Sequence, residues 1–122
     1  MRLGVDLVKV ARIQGAVEKH GEAFLKRVFT NLEIEYCEAH RRRKFEHYAG
    51  RFAAKEALYK ALTPQGGSLR YRDLELRNLP NGAPEFIVSS TERKRLGVPD
   101  QAAISVSLAH DTDYAVAVVL VS

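Results

Sequence analysis

The stretch Arg51-Phe52-Ala53-Ala54-Lys55-Glu56-Ala57-Leu58-Tyr59-Lys60-Ala61-Leu62 constrains this chain more than any other. Ala, Leu, Lys and Glu dominate it and no Gly or Pro interrupts it, so it forms a helix. Its apolar residues do not fall on one stripe. Phe52, Ala53, Ala57 and Ala61, with Leu58 and Leu62, cover two adjoining faces, as in a helix packed on more than one side. Four charged residues, Arg51, Lys55, Glu56 and Lys60, ride on it nonetheless. Glu56 and Lys60 share a face one turn apart. Taken alone they are either a weak surface ion pair or a carboxylate that holds a metal beside a lysine that meets a phosphate.

The segments before this helix supply possible partners. Leu3 to Val10 reads as a strand in which Leu3, Val5 and Leu7 alternate with Gly4, Asp6 and Val8. A carboxylate in such a strand needs a cap position, a hydrogen bond, a cation or a metal; Asp6 either caps the next helix or belongs to a site. Gly4 lies on the same strand face and leaves room beside it. Helices follow over Val10–His20, with Val10, Ile13, Ala16 and Val17 inward, and over Glu22–Phe29, with Phe24, Leu25 and Val28 inward. Thr30 and Glu33 form a capping box that opens a helix to about His40, burying Leu32, Ile34 or Tyr36, and Cys37. The run His40-Arg41-Arg42-Arg43-Lys44 is a solvated face or a basic rim over the next helix, where it could clamp a phosphate. The central helix spans about Phe45 to Leu62.

After it, Thr63 to Ser68 is a loop broken by Pro64, Gly66 and Gly67, without the ending of a P-loop. Leu74–Leu79 and Pro84–Val88 are strands joined by a turn at Pro80-Asn81-Gly82. Ser89 or Ser90 caps a helix that Gly97 closes. Ala103–Ala109 and Tyr114–Val121 are strands, the last nearly all apolar and therefore central. The fold class is α+β, one domain over residues 1–122, with an antiparallel sheet packed around the long central helix.

Composition narrows the chemistry. A net charge of +4 and an isoelectric point near 9.4 favour an acidic partner, whether nucleic acid, a phosphorylated cofactor or an acidic protein. The lone Cys37 excludes an intramolecular disulfide and a cysteine zinc cluster. No apolar run approaches the roughly 20 residues that span a bilayer, and the start, with Arg2 and Asp6, does not read as a signal peptide; the expected location is the cytoplasm. Asp6 and Glu56, oxygens from distant segments, suit Mg²⁺ completed by water and phosphate. His20, His40, His47 and His110 show no zinc spacing. His47 reads as a surface helix histidine, whereas His110 ends a strand before a turn, where functional side chains project. No nucleophile elbow or dinucleotide glycine motif is present. A metal site, cations and a histidine without a nucleophile point to phosphoryl-type transfer. The competing reading is a non-catalytic basic module that binds RNA or an acidic protein; it accounts for the charge but not for Asp6, and no aromatic platform for bases accompanies it.

Several blocks match one family in order: Gly4-Val5-Asp6-Leu7-Val8 with Arg12-Ile13; Phe29-Thr30 with Glu33 and Tyr36-Cys37; Ala49-Gly50-Arg51-Phe52-Ala53-Ala54-Lys55-Glu56-Ala57 with Lys60-Ala61-Leu62; Asn81-Gly82 with Pro84; and Val106-Ser107-Leu108-Ala109-His110 with Tyr114-Ala115. The chain resembles holo-acyl-carrier-protein synthases, the short bacterial class of phosphopantetheinyl transferases. The resemblance implies transfer of the 4′-phosphopantetheine arm from coenzyme A to a serine of an acyl carrier protein, releasing adenosine 3′,5′-bisphosphate. It implies Mg²⁺ on Asp6 and Glu56, with Lys60 at the phosphates. Arg43, Arg51 and His110 would lie near the nucleotide, Pro84 near the adenine, and Arg12 on the carrier-docking surface. It further implies a homotrimer with active sites at subunit boundaries. Glu56, directly or through a water, is the candidate base for the carrier serine. Neither a nucleic acid nor a membrane is an expected partner.

Overall fold

The computed structural model describes residues 1–62 and 70–122. The glycine-rich turn expected over Thr63–Ser68 lies outside them. Among the described residues the order is β1 (Arg2–Lys9), α1 (Val10–His20), α2 (Glu22–Val28), α3 (Asn31–Ala39), α4 (Lys44–Leu62), β2 (Glu75–Asn78), β3 (Pro84–Ile87), α5 (Ser90–Leu96), β4 (Ile104–His110) and β5 (Tyr114–Val121). Short 3₁₀ turns at Arg41–Arg43 and Tyr71–Asp73 precede α4 and β2.

Local chemistry sets most of these boundaries. Thr30 Oγ1 accepts from the Glu33 amide at 3.2 Å while Glu33 Oε1 accepts from the Thr30 amide at 2.8 Å, so the capping box closes in both directions. Ser89, not Ser90, caps α5 by accepting from the Glu92 amide at 3.1 Å. Gly82 has φ +90° in the turn between β2 and β3, a conformation that glycine adopts without strain.

The three-stranded sheet has the order β1-β5-β4, antiparallel throughout, so the apolar last strand is central as its sequence predicts. β2 and β3 form a separate antiparallel pair. Helix α4 lies across the sheet, packing chiefly on β1 and β5, and is flanked by α1 and α3. Its buried residues run all round: Tyr48, Ala49, Phe52, Ala53, Ala54, Ala57, Leu58, Ala61 and Leu62. This is the two-faced packing that its composition predicts.

The face of β1 that meets α4 carries Gly4, Asp6 and Val8. Alternation alone would turn Leu3, Val5 and Leu7 inward, but these are 67%, 54% and 63% exposed. The reason is Gly4. A Cβ there would stand 1.9 Å from the Ala57 carbonyl oxygen, so only a glycine lets the strand approach the helix backbone this closely. Its space is taken by α4 and is not left open beside the carboxylate. In α3, Cys37 and Glu33 are the buried residues, and Leu32, expected inside, is 53% exposed.

Candidate active site

Glu56 and Lys60 stand on the C-terminal half of α4, and Lys60 reaches β1. The Lys60 ammonium donates to Asp6 Oδ1 at 3.0 Å and to the Val5 carbonyl at 3.1 Å. Asp6 therefore answers to a lysine and does not cap α1, whose N-cap is Lys9. Glu56 Oε1 accepts a hydrogen bond from the Tyr71 hydroxyl. Burial first, and then that bond, raise the Tyr71 hydroxyl above its ordinary range; Glu56, Arg12 and Asp6 all act on it electrostatically. These groups share one neighbourhood. The Arg12 guanidinium lies 5.7 Å from the centre of the Phe52 ring, and Phe52 stacks on Tyr71 at 5.7 Å and 16°. Arg12 thus borders the carboxylates and is exposed.

Two carboxylates from two elements, with a lysine and an arginine beside them, form a donor set of definite character. Among the described residues no cluster of three His, Cys, Asp or Glu could cage an ion. The pair of carboxylates suits Mg²⁺, which keeps waters and takes one or two carboxylates with substrate phosphates.

A second feature lies at the N-terminal half of α4. A cleft of about 220 Å³ is lined by Tyr36, His47, Arg51, Asn78, Pro84 and His110, among others. Arg51 is 4% exposed. Its Nη2 donates to Asn78 Oδ1 at 2.5 Å, and its guanidinium stands 4.0 Å from the centre of the Tyr36 ring. Its Nε is buried with no partner among the described residues, a donor suited to an anion entering the cleft. His110 Nδ1 pairs with Glu46 Oε1 at 3.0 Å. A carboxylate accepts, so Nδ1 carries the hydrogen and Nε2 is left for a ligand. His47, predicted at the surface, is half-buried in this cleft, its ring 4.0 Å from that of His40 and 4.8 Å from that of His110. Burial, then the neighbouring His40 and His110, pull it down to about 4, so the ring is neutral at neutral pH.

Arg51, Pro84 and His110 are therefore brought together as expected. Arg43 is not brought with them: it is exposed on the turn before α4 and stands outside the cleft lining, because that turn runs along the surface.

The family model for the 4′-phosphopantetheinyl transferase superfamily matches residues 2–119. The chain belongs to that superfamily. A holo-[acyl-carrier-protein] synthase of Ruminiclostridium cellulolyticum is 41% identical over 123 residues, covering 100% of this chain and 92% of the relative. One from Thermodesulfovibrio yellowstonii is 42% identical over 120 residues, covering 98% and 96%. Among solved structures, the Helicobacter pylori holo-[acyl-carrier-protein] synthase in complex with coenzyme A superposes with a TM-score of 0.85 at 34% identity, covering 98% of this chain and 99% of that one. The Neisseria meningitidis synthase gives 0.83 at 28% identity, covering 99% and 97%.

This superfamily member also holds groups that motif reading passes over. Lys55 and Glu33 are fully buried and paired at 2.7 Å. Lys55 also donates to the carbonyls of Val28 and Tyr71, each at 2.8 Å, and Glu33 Oε2 accepts from the Leu76 amide at 2.9 Å. Burial pulls the Lys55 ammonium down, and Glu33 opposes it. The signal was available: Lys55 shares a helix face with Leu58 and Leu62, three and seven residues on, so a lysine there is committed to the interior. Tyr71 and Asn78 had no comparable signal.

Proposed function

We propose that this chain transfers the 4′-phosphopantetheine arm of coenzyme A to a serine of apo acyl carrier protein, in the cytoplasm, releasing adenosine 3′,5′-bisphosphate. The observation that carries the reading is the gathering of Asp6, Glu56 and Lys60 at one end of α4 in a chain that matches holo-[acyl-carrier-protein] synthases along its whole length. Asp6 and Glu56 would hold Mg²⁺, which when bound neutralises charge on the pyrophosphate and makes its phosphorus more electrophilic. Lys60 offsets charge on the phosphates. Glu56, directly or through a water, takes the proton of the carrier serine; the serine oxygen forms a bond to the pantetheine phosphorus, and the bond from that phosphorus to the departing bisphosphate breaks. Arg51 and His110 Nε2 serve the nucleotide phosphates, Pro84 lies against the adenine, and Arg43 reaches a phosphate only from outside the cleft. The exposed Arg12 meets the acidic carrier.

A homotrimer accommodates two further observations. The outer face of the sheet is apolar: Leu3 is opposite Leu120, Val5 opposite Val118 and Leu7 opposite Val116, and an exposed face of this kind is a contact surface. In addition, Arg51 and Glu56 are five residues apart, or about 140° around the helix axis. One coenzyme A would have to wrap α4 to meet both on one subunit, whereas a neighbouring copy can present its cleft to these carboxylates. His110 lines the cleft and also a hollow with Leu7, Tyr114 and Val116 on the outer face, so the cleft adjoins that surface.

Mass spectrometry of apo acyl carrier protein incubated with coenzyme A, Mg²⁺ and the protein tests the reading. Wild type adds one phosphopantetheine and Glu56→Ala adds none; no addition by wild type to any carrier refutes it. Co-assembly of Arg51→Ala with Glu56→Gln subunits tests the boundary site: two inactive variants regain activity if each site draws on two subunits.

A further inference from the structure

Lys55 and Glu56 are neighbours on α4 and hold the same residue at two ends. The Lys55 ammonium donates to the Tyr71 carbonyl at 2.8 Å, and the Tyr71 hydroxyl donates to Glu56 Oε1. Between these two points the ring lies nearly parallel to Phe52. Lys55 is itself fixed by the Val28 carbonyl and by Glu33, and Glu33 by the amides of Thr30 and Leu76. The backbone, ring and hydroxyl of Tyr71 are thus each held by a different contact. Glu56 is only partly buried, and an unheld glutamate samples several rotamers whose loss on ordering opposes binding. A hydroxyl on a rigid ring removes that freedom in advance.

We propose that Tyr71 is a positioning residue for the transfer reaction: its hydroxyl holds the Glu56 carboxylate by one oxygen and leaves the other for a divalent cation. The inference rests on the transferase reading above. It separates the hydroxyl from the ring: the ring packs on Phe52, and the hydroxyl aims a carboxylate.

Tyr71→Phe keeps the ring, the stack on Phe52 and the carbonyl that Lys55 grips, and removes one oxygen. Mn²⁺ binding in the presence of coenzyme A, followed by the paramagnetic resonance of free Mn²⁺, reads the carboxylate directly. The Mn²⁺ dissociation constant of Tyr71→Phe rises about 10-fold or more, the Mg²⁺ requirement for transfer rises in parallel, and KM for the carrier and the melting temperature stay close to wild type. Equal Mn²⁺ binding by Tyr71→Phe and wild type, with or without a change in melting temperature, overturns the inference and leaves the transferase reading standing. A wild-type protein that binds no Mn²⁺ overturns both, and binding unaffected by Glu56→Gln removes the carboxylate from the cation site.

Discussion

Lys55 and Lys60 stand five residues apart on α4, and each meets a carboxylate from a distant segment: Glu33 at 2.7 Å and Asp6 at 3.0 Å. The two pairs differ in every other respect. Both side chains of the Lys55 pair are fully buried, whereas Lys60 is 54% and Asp6 14% exposed. The three donor positions of Lys55 go to Glu33, Val28 and Tyr71, and Glu33 spends its oxygens on Lys55, Thr30 and Leu76. That network is saturated and can accept nothing from outside. The Lys60 pair sits at the surface beside a second carboxylate, where a phosphate can take the lysine and a cation the aspartate. The same chemical pair becomes a structural rivet where both partners are buried, and a solvated pair at the surface where water still reaches it.

The difference can be broken by substitution, beginning with the rivet. Removing one partner of a buried pair strands the other in the core, so Lys55→Met lowers stability by about 3–5 kcal/mol; chemical denaturation measures it. A change below about 1 kcal/mol would mean that the burial of this pair is energetically empty. Gly4→Ala comes next. Its Cβ cannot coexist with the Ala57 carbonyl at 1.9 Å, so β1 must shift. The expected cost is about 1–3 kcal/mol, with reduced transfer because Asp6 moves with the strand. Unchanged stability would show that β1 slides freely on α4. Lys60→Ala reverses the pattern: stability moves by less than about 1 kcal/mol, while kcat for transfer falls on the order of 100-fold. If Lys60→Ala unfolds the protein as readily as Lys55→Met, the contrast between rivet and site disappears.

What was legible in the sequence follows the same division. The capping box Thr30–Glu33, the Asn81-Gly82 turn and the central position of β5 depend on neighbours in sequence or on hydropathy, and they were readable. Asp6 could be nominated because an apolar strand does not explain its carboxylate, and Glu56 because it shares a helix face with Lys60 one turn on. The orientation of β1 was not readable, because alternation defines two faces and the glycine that chooses between them acts through an atom of α4. The second task of Glu33 was hidden by its first, since a capping glutamate gives one oxygen to the cap and nothing local reports where the other goes. Tyr71 and Asn78 enter through tertiary contact alone. Arg43 was placed near the nucleotide by the family resemblance alone; in the folded chain it is exposed on the turn before α4.

The smallest effect tests the cleft through pH. The His47 ring titrates near 4 in the folded chain against an ordinary 6.5, chiefly because it is buried and secondarily because His40, His110 and Arg51 disfavour another positive charge, with Glu46 opposing. Between those values the unfolded chain binds a proton that the folded chain refuses. Stability from this group is therefore complete above about pH 6.5 and is lost as pH falls toward 4. His47→Phe keeps a flat ring against Tyr36 and His40 but has no proton to refuse. Its stability should decline less steeply than that of wild type between pH 6.5 and 4, and the two profiles should run parallel above pH 7. Urea denaturation at a series of pH values makes the comparison. Parallel profiles throughout would show that His47 is as well hydrated in the folded protein as in the unfolded chain.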